Sequence, residues 1–262
     1  MIGDVDEWRR LDVELEAWAK AGHYVPLWWR DDDAIEPTPA LDRMLALSQR
    51  FNVPLALAVI PAQATSGLAN RLLDEPAVDV LQHGFTHQNH ATPGERAAEF
   101  GPQRSLDVRL SEQADGWRML DGFVRRVPIF VPPWNRYDRE LASGFSSQGL
   151  KAISAFGDAN RLPSPIVECN CHVDIISWRT TRGFAGVAKT TAKLIDHLQA
   201  RRSRTEGAHV ATGLLSHHLV HDEGCWSYLV ELFSRLQQHS CIQWVRPMNA
   251  VNSLPAEHMT IP

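Results

Sequence analysis

The stretch WWRDDDAIEPTP, residues 28–39, places three successive aspartates directly after an apolar run that has the character of a buried strand. Neighbouring carboxylates repel one another and resist burial unless a cation, a proton or donated hydrogen bonds compensate for their charge. We therefore expect a compensating positive charge close to Asp31, Asp32 and Asp33.

Along the rest of the chain, short apolar runs alternate with longer segments of helical periodicity. This alternation indicates a parallel sheet built from right-handed crossovers. The predicted strands are YVPLWW, VPLALAVI, VDVLQ, PIFVP, KAISAF, HVDIISW, HVATGLLS and IQWV. The predicted helices cover residues 38–50, 65–73, 106–125, 138–149, 187–200 and 224–238.

About seven such strand and helix units fit into a chain of 262 residues. We therefore predict an α/β fold in which about seven parallel strands form a barrel ringed by helices, in a single domain covering residues 1–262. An open, doubly wound sheet is the competing architecture. Both architectures place their chemistry at the carboxyl ends of the strands.

The composition restricts the class of partner. The formal net charge is −5 and the isoelectric point is about 6.2. A nucleic acid or an anionic membrane would require a basic surface, so we expect neither and predict a small-molecule or oligosaccharide substrate. The N-terminal sequence is charged throughout and no apolar run approaches the roughly 20 residues of a membrane span, so we expect a cytoplasmic protein. The patterns leave the oligomeric state open.

Polar clusters follow five of the predicted strands, and the barrel would bring them to one mouth. The aspartates follow the first strand, and HGFTH supplies His83 and His87 after the third. The remaining clusters lie in FVPPWNR, HVDIISW and LLSHH.

The histidines of HGFTH are four residues apart, so a helical turn there would place both imidazoles within reach of one ion. One carboxylate from the first strand end would complete a facial Asp-His-His site that leaves positions open for water and substrate. Such an ion would neutralise the aspartates and acidify its water, and a second aspartate could act as general base. We therefore expect a divalent metal cofactor, with Zn²⁺ as the first candidate.

Each cluster taken alone also has a simpler interpretation. A His-x₃-His pair arises by coincidence, three aspartates can form a helix-capping loop, and tryptophans are common core residues. Their occurrence at successive strand ends is what favours a shared site.

The order of these clusters resembles that of the polysaccharide deacetylases, which are metal-dependent carbohydrate esterases. The resemblance is to a divergent bacterial branch that has an arginine two residues before the paired aspartates. It covers most of residues 25–250 and rests on RDDDA, HGFTH, FVPPW and LSHH. It implies a distorted (β/α) barrel and a metal-dependent deacetylase that hydrolyses an amide or ester bond.

The resemblance also implies roles for individual residues. The metal ligands would be Asp33, His83 and His87. The catalytic candidates are Asp32 as general base, His217 as general acid, Asp174 as a support for the acid or base, and Asp31. The residues expected to contact substrate are Arg30, Pro133, Trp134, Asn135, Trp178 and His218.

The register of the aspartates has two solutions. Counting from Arg30 makes Asp32 the base and Asp33 the ligand, whereas the distance to the following Thr-Pro pair would move both roles back by one residue. We prefer the first register, which leaves Asp31 turned outwards or paired with Arg30. The arginine that commonly precedes the proline of the groove loop is replaced by Val131, so Arg30 or another arginine, Arg136, would have to take its place.

The general acid is assigned by strand geometry. Side chains alternate faces along a strand, so His217 and His218 should point in opposite directions and only one can reach a leaving nitrogen. We assign the acid to His217, the first ring beyond the apolar run, rather than to His218 or His221. Asp174 is the expected partner of its imidazolium.

We thus predict a metal-dependent hydrolase that removes acetyl from an N-acetylated sugar or a related small molecule. Two alternatives remain open. The replaced groove arginine favours a carbohydrate-binding protein of the same fold with altered activity. A hydrolase of a non-sugar amide would use the same catalytic residues.

Overall fold

The computed structural model describes residues 2–162, 165–203 and 210–254. The strands in these ranges are β1 (Val25–Ala34), β2 (Leu55–Val59), β3 (Val78–His83), β4 (Arg126–Val131), β5 (Ala152–Ile153), β6 (Val167–Glu168), β7 (Val173–Asp174), β8 (Thr212–Ser216) and β9 (Ile242–Trp244). The α-helices are α1 (Ile2–Lys20), α2 (Pro39–Phe51), α3 (Ser66–Arg71), α4 (Leu106–Met119), α5 (Leu141–Phe145), α6 (Val187–Arg202), α7 (Glu223–Leu236) and α8 (Pro247–Asn252). The predicted alternation of strands and helices is therefore confirmed.

Several boundaries differ from the prediction. The runs KAISAF and HVDIISW contribute strands of only two residues each, and HVATGLLS starts at His209, which lies outside the described residues. The sequence interpretation missed α1, whose Leu11, Leu15 and Trp18 are buried at helical spacing within a highly charged segment. Among the described residues, no helix is long and apolar enough to cross a membrane.

The described residues divide into two compact units, and the division falls inside β1, between Asp31 and Asp32. The first unit contains the residues up to Asp31, Pro39–Leu55 and the described residues from Cys171 onward. In this unit β8 pairs in parallel with both β1 and β7, and β9 pairs in parallel with the start of β1. The register places Asp31 beside Ser216, so both side chains lie at the carboxyl ends of neighbouring strands.

The second unit contains Asp32–Thr38 and the described part of Ala56–Asn170. Its strands pair in the order β2, β3, β4, β5, β6, and the pairings from β3 to β6 are parallel. His83 pairs with Val131 where β3 and β4 end, so the HGFTH and FVPPWNR loops leave the sheet at the same edge. An aromatic cluster that includes Phe130 forms part of the buried core beneath these strands.

Candidate functional site

The three predicted metal ligands form one group in the second unit. Single ligand atoms of Asp33, His83 and His87 all lie within 4.8 Å of one another. Asp33 Oδ1 is 3.0 Å from His83 Nε2 and 3.3 Å from His87 Nε2. Within the part of the chain that the structure describes, no other cluster of His, Cys, Asp and Glu side chains has this geometry. This grouping favours the register in which Asp33 is the ligand.

The two histidines come together through a loop and not through the helical turn that their spacing would allow. Strand β3 ends at His83, and the chain then passes through left-handed backbone at Gly84 (φ 58°) and at His87 (φ 61°). Glycine adopts such angles without strain, and histidine is among the residues that tolerate them. These two residues turn the chain back so that the His83 and His87 rings lie 5.1 Å apart.

A left-handed residue also separates the aspartates. Regular alternation along β1 would place Asp31 and Asp33 on one face and Asp32 on the other. Asp33 has a φ of 73°, which breaks this alternation at the end of the strand. Its carboxylate contacts the two histidines, whereas Asp31 contacts residues at the end of β8.

The group fits a divalent cation. His83 Nδ1 donates to the carbonyl oxygen of Val131 at 3.0 Å, so Nε2, which lies 3.0 Å from Asp33 Oδ1, is the nitrogen that would bind an ion once its proton is displaced. Histidines that bind zinc are typically oriented by such a hydrogen bond to a backbone carbonyl. Two imidazole nitrogens and one carboxylate are a ligand set of catalytic zinc sites.

The electrostatic environment of the two rings differs. Burial lowers the pKa of His83, but the carboxylates of Asp32 and Asp33 outweigh burial, and the pKa is raised above its ordinary value. Burial lowers the pKa of His87, the neighbouring His83 adds to this effect, and the pKa lies below its ordinary value. The charges of Asp32 and Asp33 thus favour positive charge at His83.

The groove loop borders this group. Pro133 is buried, and the Trp134 ring lies 4.5 Å from the ring of His87. Trp134 and Asn135 are half-buried and both have left-handed backbone, with φ of 56°. Arg136 Nη1 donates to the carbonyl oxygen of Ala97 at 2.8 Å. Of the predicted substrate contacts on this loop, Trp134 and Asn135 therefore present accessible surface.

Asp31 forms a second Asp-His pair, in the first unit. Asp31 Oδ1 accepts a hydrogen bond of 2.5 Å from His218 Nδ1. Asp31 Oδ2 accepts from Ser216 Oγ at 2.6 Å and from the backbone N–H of His218 at 2.9 Å. Trp29 Nε1 donates in turn to Ser216 Oγ at 2.9 Å. Asp31 thereby ties the end of β1 to the residues that follow β8.

The expectation that Asp31 is turned outwards or paired with Arg30 is wrong. Asp31 is fully buried, and its side chain lies opposite that of Arg30 because neighbouring residues on a strand face opposite ways. Burial alone would raise the pKa of Asp31, but the charge and hydrogen bonds of His218 prevail, and the pKa is lowered. Asp31 is thus an ionised carboxylate whose oxygens both accept from fixed donors.

The predicted acid, His217, packs against an aromatic side chain. Its ring meets the Trp178 ring edge to face, with centroids 4.6 Å apart. Trp178 Nε1 donates to Asp174 Oδ2 at 2.8 Å, and Asp174 Oδ1 accepts from the backbone N–H of Ile176 at 2.8 Å. Asp174 therefore orients the tryptophan that packs against His217.

The other predicted substrate contacts fall into two classes. Trp178 is 40% exposed and can meet a ligand directly. Arg30 and His218 are almost completely buried, which disfavours direct contact with substrate. The pairing with Asp31 defines the role of His218.

Sequence reasoning missed two residues that hold these groups in place. Ser216 bridges Trp29 and Asp31, and Glu99 accepts three hydrogen bonds from the HGFTH loop. Ser216 could have been found, since it directly precedes the predicted acid at the end of a buried strand. Glu99 lies in a segment with no strand or helix pattern, so only its position between apolar residues in AAEF marked it.

Comparison with known proteins defines the fold. No family model matches the sequence, and no curated protein matches it significantly. The structure is similar to that of a proposed polysaccharide deacetylase from Mycobacterium smegmatis, with a TM-score of 0.69, 15% identity, and coverage of 91% of this chain and 93% of that one. It is also similar to an allantoinase, with a TM-score of 0.63, 11% identity, and coverage of 88% and 90%.

A third similar structure is a family 4 acetyl xylan esterase from Clostridium thermocellum in complex with a cobalt ion. Its TM-score is 0.55 and its identity 13%, with coverage of 88% of this chain and 93% of that one. The resemblance inferred from RDDDA, HGFTH, FVPPW and LSHH is therefore confirmed at the level of the fold. The chain has the distorted barrel of parallel strands that characterises the polysaccharide deacetylases and family 4 carbohydrate esterases.

Proposed function

We propose that this protein is a divalent-metal-dependent hydrolase that removes acetyl from an N-acetylated sugar or a related small molecule. The observation that carries the proposal is the group formed by Asp33, His83 and His87 at strand ends of a deacetylase fold. The His83 imidazole is already oriented by a backbone carbonyl and faces the Asp33 carboxylate, and the ligand set suits zinc. Zn²⁺ is therefore the ion we propose.

A divalent ion held by these three side chains would polarise an acyl carbonyl and lower the pKa of water. Asp32 is the base in this proposal. It is buried, it lies directly before the ligand Asp33, and its charge acts on His83. A carboxylate there can take the proton of the attacking water.

His217 is the proposed acid, which donates a proton to the departing amine. The ring is confined by Trp178, which Asp174 holds in place. Trp178 and Trp134 present accessible aromatic surface of the kind that packs against sugar rings. Asp31 is proposed as a positioning residue, because its pair with His218 fixes the backbone that carries His217.

Acetate release from N-acetylated monosaccharides and oligosaccharides tests this proposal directly. We expect release by the purified protein, loss of release after treatment with a chelator, and recovery on addition of Zn²⁺. Release that survives complete removal of metal would contradict the proposal.

The same assay separates the alternatives. A non-sugar amide substrate is favoured by the similarity to an allantoinase, and it would appear as chelator-sensitive hydrolysis of cyclic or linear amides without activity on sugars. A binding protein with altered activity is favoured by Val131 in place of the groove arginine. It would bind metal and sugar without turnover, and its affinity for sugar would be unchanged in Asp32→Asn.

A further inference from the structure

The loop that carries His87 is held by hydrogen bonds from outside the loop. The backbone N–H of Gly84 donates to Val131 O at 3.0 Å, and the carbonyl oxygen of Gly84 accepts from Gln82 Nε2 at 2.9 Å. The carbonyl oxygen of Phe85 accepts from the backbone N–H of Ala62 at 3.0 Å. The backbone N–H groups of Phe85 and Thr86 take part in none of these bonds.

Glu99 accepts from both of these N–H groups. Glu99 Oε2 accepts from the N–H of Phe85 at 3.1 Å, and Oε1 accepts from the N–H of Thr86 at 2.7 Å and from its hydroxyl at 2.8 Å. The carbonyl oxygen of Thr86 accepts from Gln63 Nε2 at 2.7 Å, which completes the backbone pairing of residues 84–86. Hydrogen bonds to an ionised acceptor are about twice as strong as neutral ones, so Glu99 contributes most to this fixation.

Glu99 is packed closely against Gly84 and the groove loop. Glu99 is fully buried, and a Cβ atom built on Gly84 would lie 2.1 Å from Glu99 Oε2 and 2.5 Å from Pro133 Cγ. Gly84 also has a positive φ, which other residues adopt only with strain. The glycine, the glutamate and the proline of the groove loop therefore define one conformation for the segment between the two metal-binding histidines.

We infer that Glu99 is a positioning residue of the metal site, which holds the HGFTH loop in the conformation that brings His87 Nε2 to Asp33 and His83. Glu99 itself touches neither the substrate nor the ion in this role. Groups that orient metal ligands typically contribute 10- to 100-fold to metal affinity. This inference rests on the proposed function, because it assumes that Asp33, His83 and His87 bind a metal.

Glu168 provides a matched control. It is a buried carboxylate of the same unit, and it accepts from the hydroxyl of Tyr137, from the N–H of Asn160 at 2.6 Å and from Asn170 Nδ2 at 3.1 Å. Glu168→Gln should therefore destabilise the fold in the same way as Glu99→Gln. None of these partners lies in the HGFTH loop, so Glu168→Gln should leave the metal-binding loop intact.

The experiment measures Zn²⁺ affinity of the metal-stripped full chain by calorimetry, well below the unfolding temperature. We expect Glu99→Gln to weaken Zn²⁺ binding by about 10- to 100-fold and Glu168→Gln to change it less than about 2-fold. The visible absorption of the Co²⁺-loaded protein should change in Glu99→Gln alone. If Glu99→Gln does not fold, Thr86→Val, which removes only the hydroxyl donor, should still weaken Zn²⁺ binding more than Glu168→Gln does.

The outcomes separate this inference from the proposed function. A wild-type chain that binds no Zn²⁺ would overturn both. A wild-type chain that binds Zn²⁺, together with unchanged affinity in Glu99→Gln or, failing that variant, in Thr86→Val, would overturn only the role of Glu99. Equal weakening in Glu99→Gln and Glu168→Gln would assign the effect to general destabilisation and would also overturn it.

Discussion

Strand β1 supplies an aspartate to each of two Asp-His groups, and the two groups differ in exposure and in hydrogen bonding. In the second unit, Asp33 Oδ1 faces two imidazole nitrogens, and the Asp33 side chain is 30% exposed. In the first unit, Asp31 and His218 are completely buried, and three hydrogen bonds to Asp31 come from Ser216 and His218. The same residue types thus form an accessible group in one unit and a closed pair in the other.

The difference shows that residue type and burial alone do not identify a functional carboxylate. A buried carboxylate whose oxygens are fully engaged by fixed donors is already stabilised as an anion and acts as a structural anchor. A carboxylate that shares one oxygen between two imidazoles gains from a cation placed among them. This contrast supports the proposal that Asp33 binds the ion and that Asp31 is an anchor.

Asp32→Asn should have the largest effect on turnover. The amide cannot take a proton, so we expect turnover to fall by about 10²- to 10⁴-fold while the metal content stays unchanged. Steady-state kinetics and elemental analysis of the same preparation would measure both. If Asp32→Asn loses metal while Asp31→Asn keeps metal and loses turnover, the roles of the aspartates are displaced by one residue.

Asp31→Ala should have the largest effect on stability. Removal of one partner from a buried ion pair costs roughly 3–5 kcal/mol of the free energy of unfolding. Asp33→Ala in the metal-free protein should cost less than about 1 kcal/mol, because its side chain is partly exposed. Urea unfolding of both metal-free variants measures the difference. An equal loss of unfolding free energy in the two variants would contradict the assignment of Asp31 as the anchor and Asp33 as the ligand.

His217→Ala should slow turnover of amide substrates by roughly 10²-fold, because a departing amine needs a proton. The loss should be smaller on esters with good leaving groups, which depart without protonation. His218→Ala should reduce stability without this dependence on the leaving group. A dependence that appears in His218→Ala and is absent from His217→Ala would move the acid to His218.

The smallest expected effect is a pH dependence of stability. Burial lowers the pKa of His221 from 6.5 to about 4, with His218 and His217 adding to the shift against the opposing charge of Asp31. Between pH 6.5 and 4, His221 is protonated in the unfolded chain and neutral in the folded chain. The free energy of unfolding therefore falls as the pH drops from about 6.5 towards 4. His221→Gln should flatten this part of the curve in urea unfolding at pH 7.5, 5.5 and 4.5. An unchanged slope would show that His221 is not neutral in the folded protein.

Much of the fold and of the metal group could be predicted from local patterns. Alternating apolar runs and helical segments indicate parallel strands, and such folds place polar loops at the strand ends, so His83 and His87 could be grouped with one aspartate of the triplet from the sequence. The choice of Asp33 came from the family resemblance. The rings meet through left-handed backbone at Gly84 and His87 and not through a helical turn, which the spacing of the histidines does not reveal.

Other features depend on contacts between distant parts of the chain. Asp31 and His218 are 187 positions apart, and the alternation rule could not tell which histidine would face the aspartate. Glu99 lies more than ten residues after the loop that it holds, in a segment without helical or strand periodicity. Helix α1 was missed because its apolar positions are few among many charged ones, although they have helical spacing.

The metal content of purified protein tests most directly whether Asp33, His83 and His87 bind the ion. Elemental analysis would compare the wild type with His83→Ala, which removes a proposed ligand, and with His217→Ala, which removes the ring next to His218 in the chain and leaves the three proposed ligands in place. We expect about one divalent ion per chain in the wild type and in His217→Ala, and almost none in His83→Ala. Equal metal content in the wild type and His83→Ala would contradict the assignment of Asp33, His83 and His87 as the metal site.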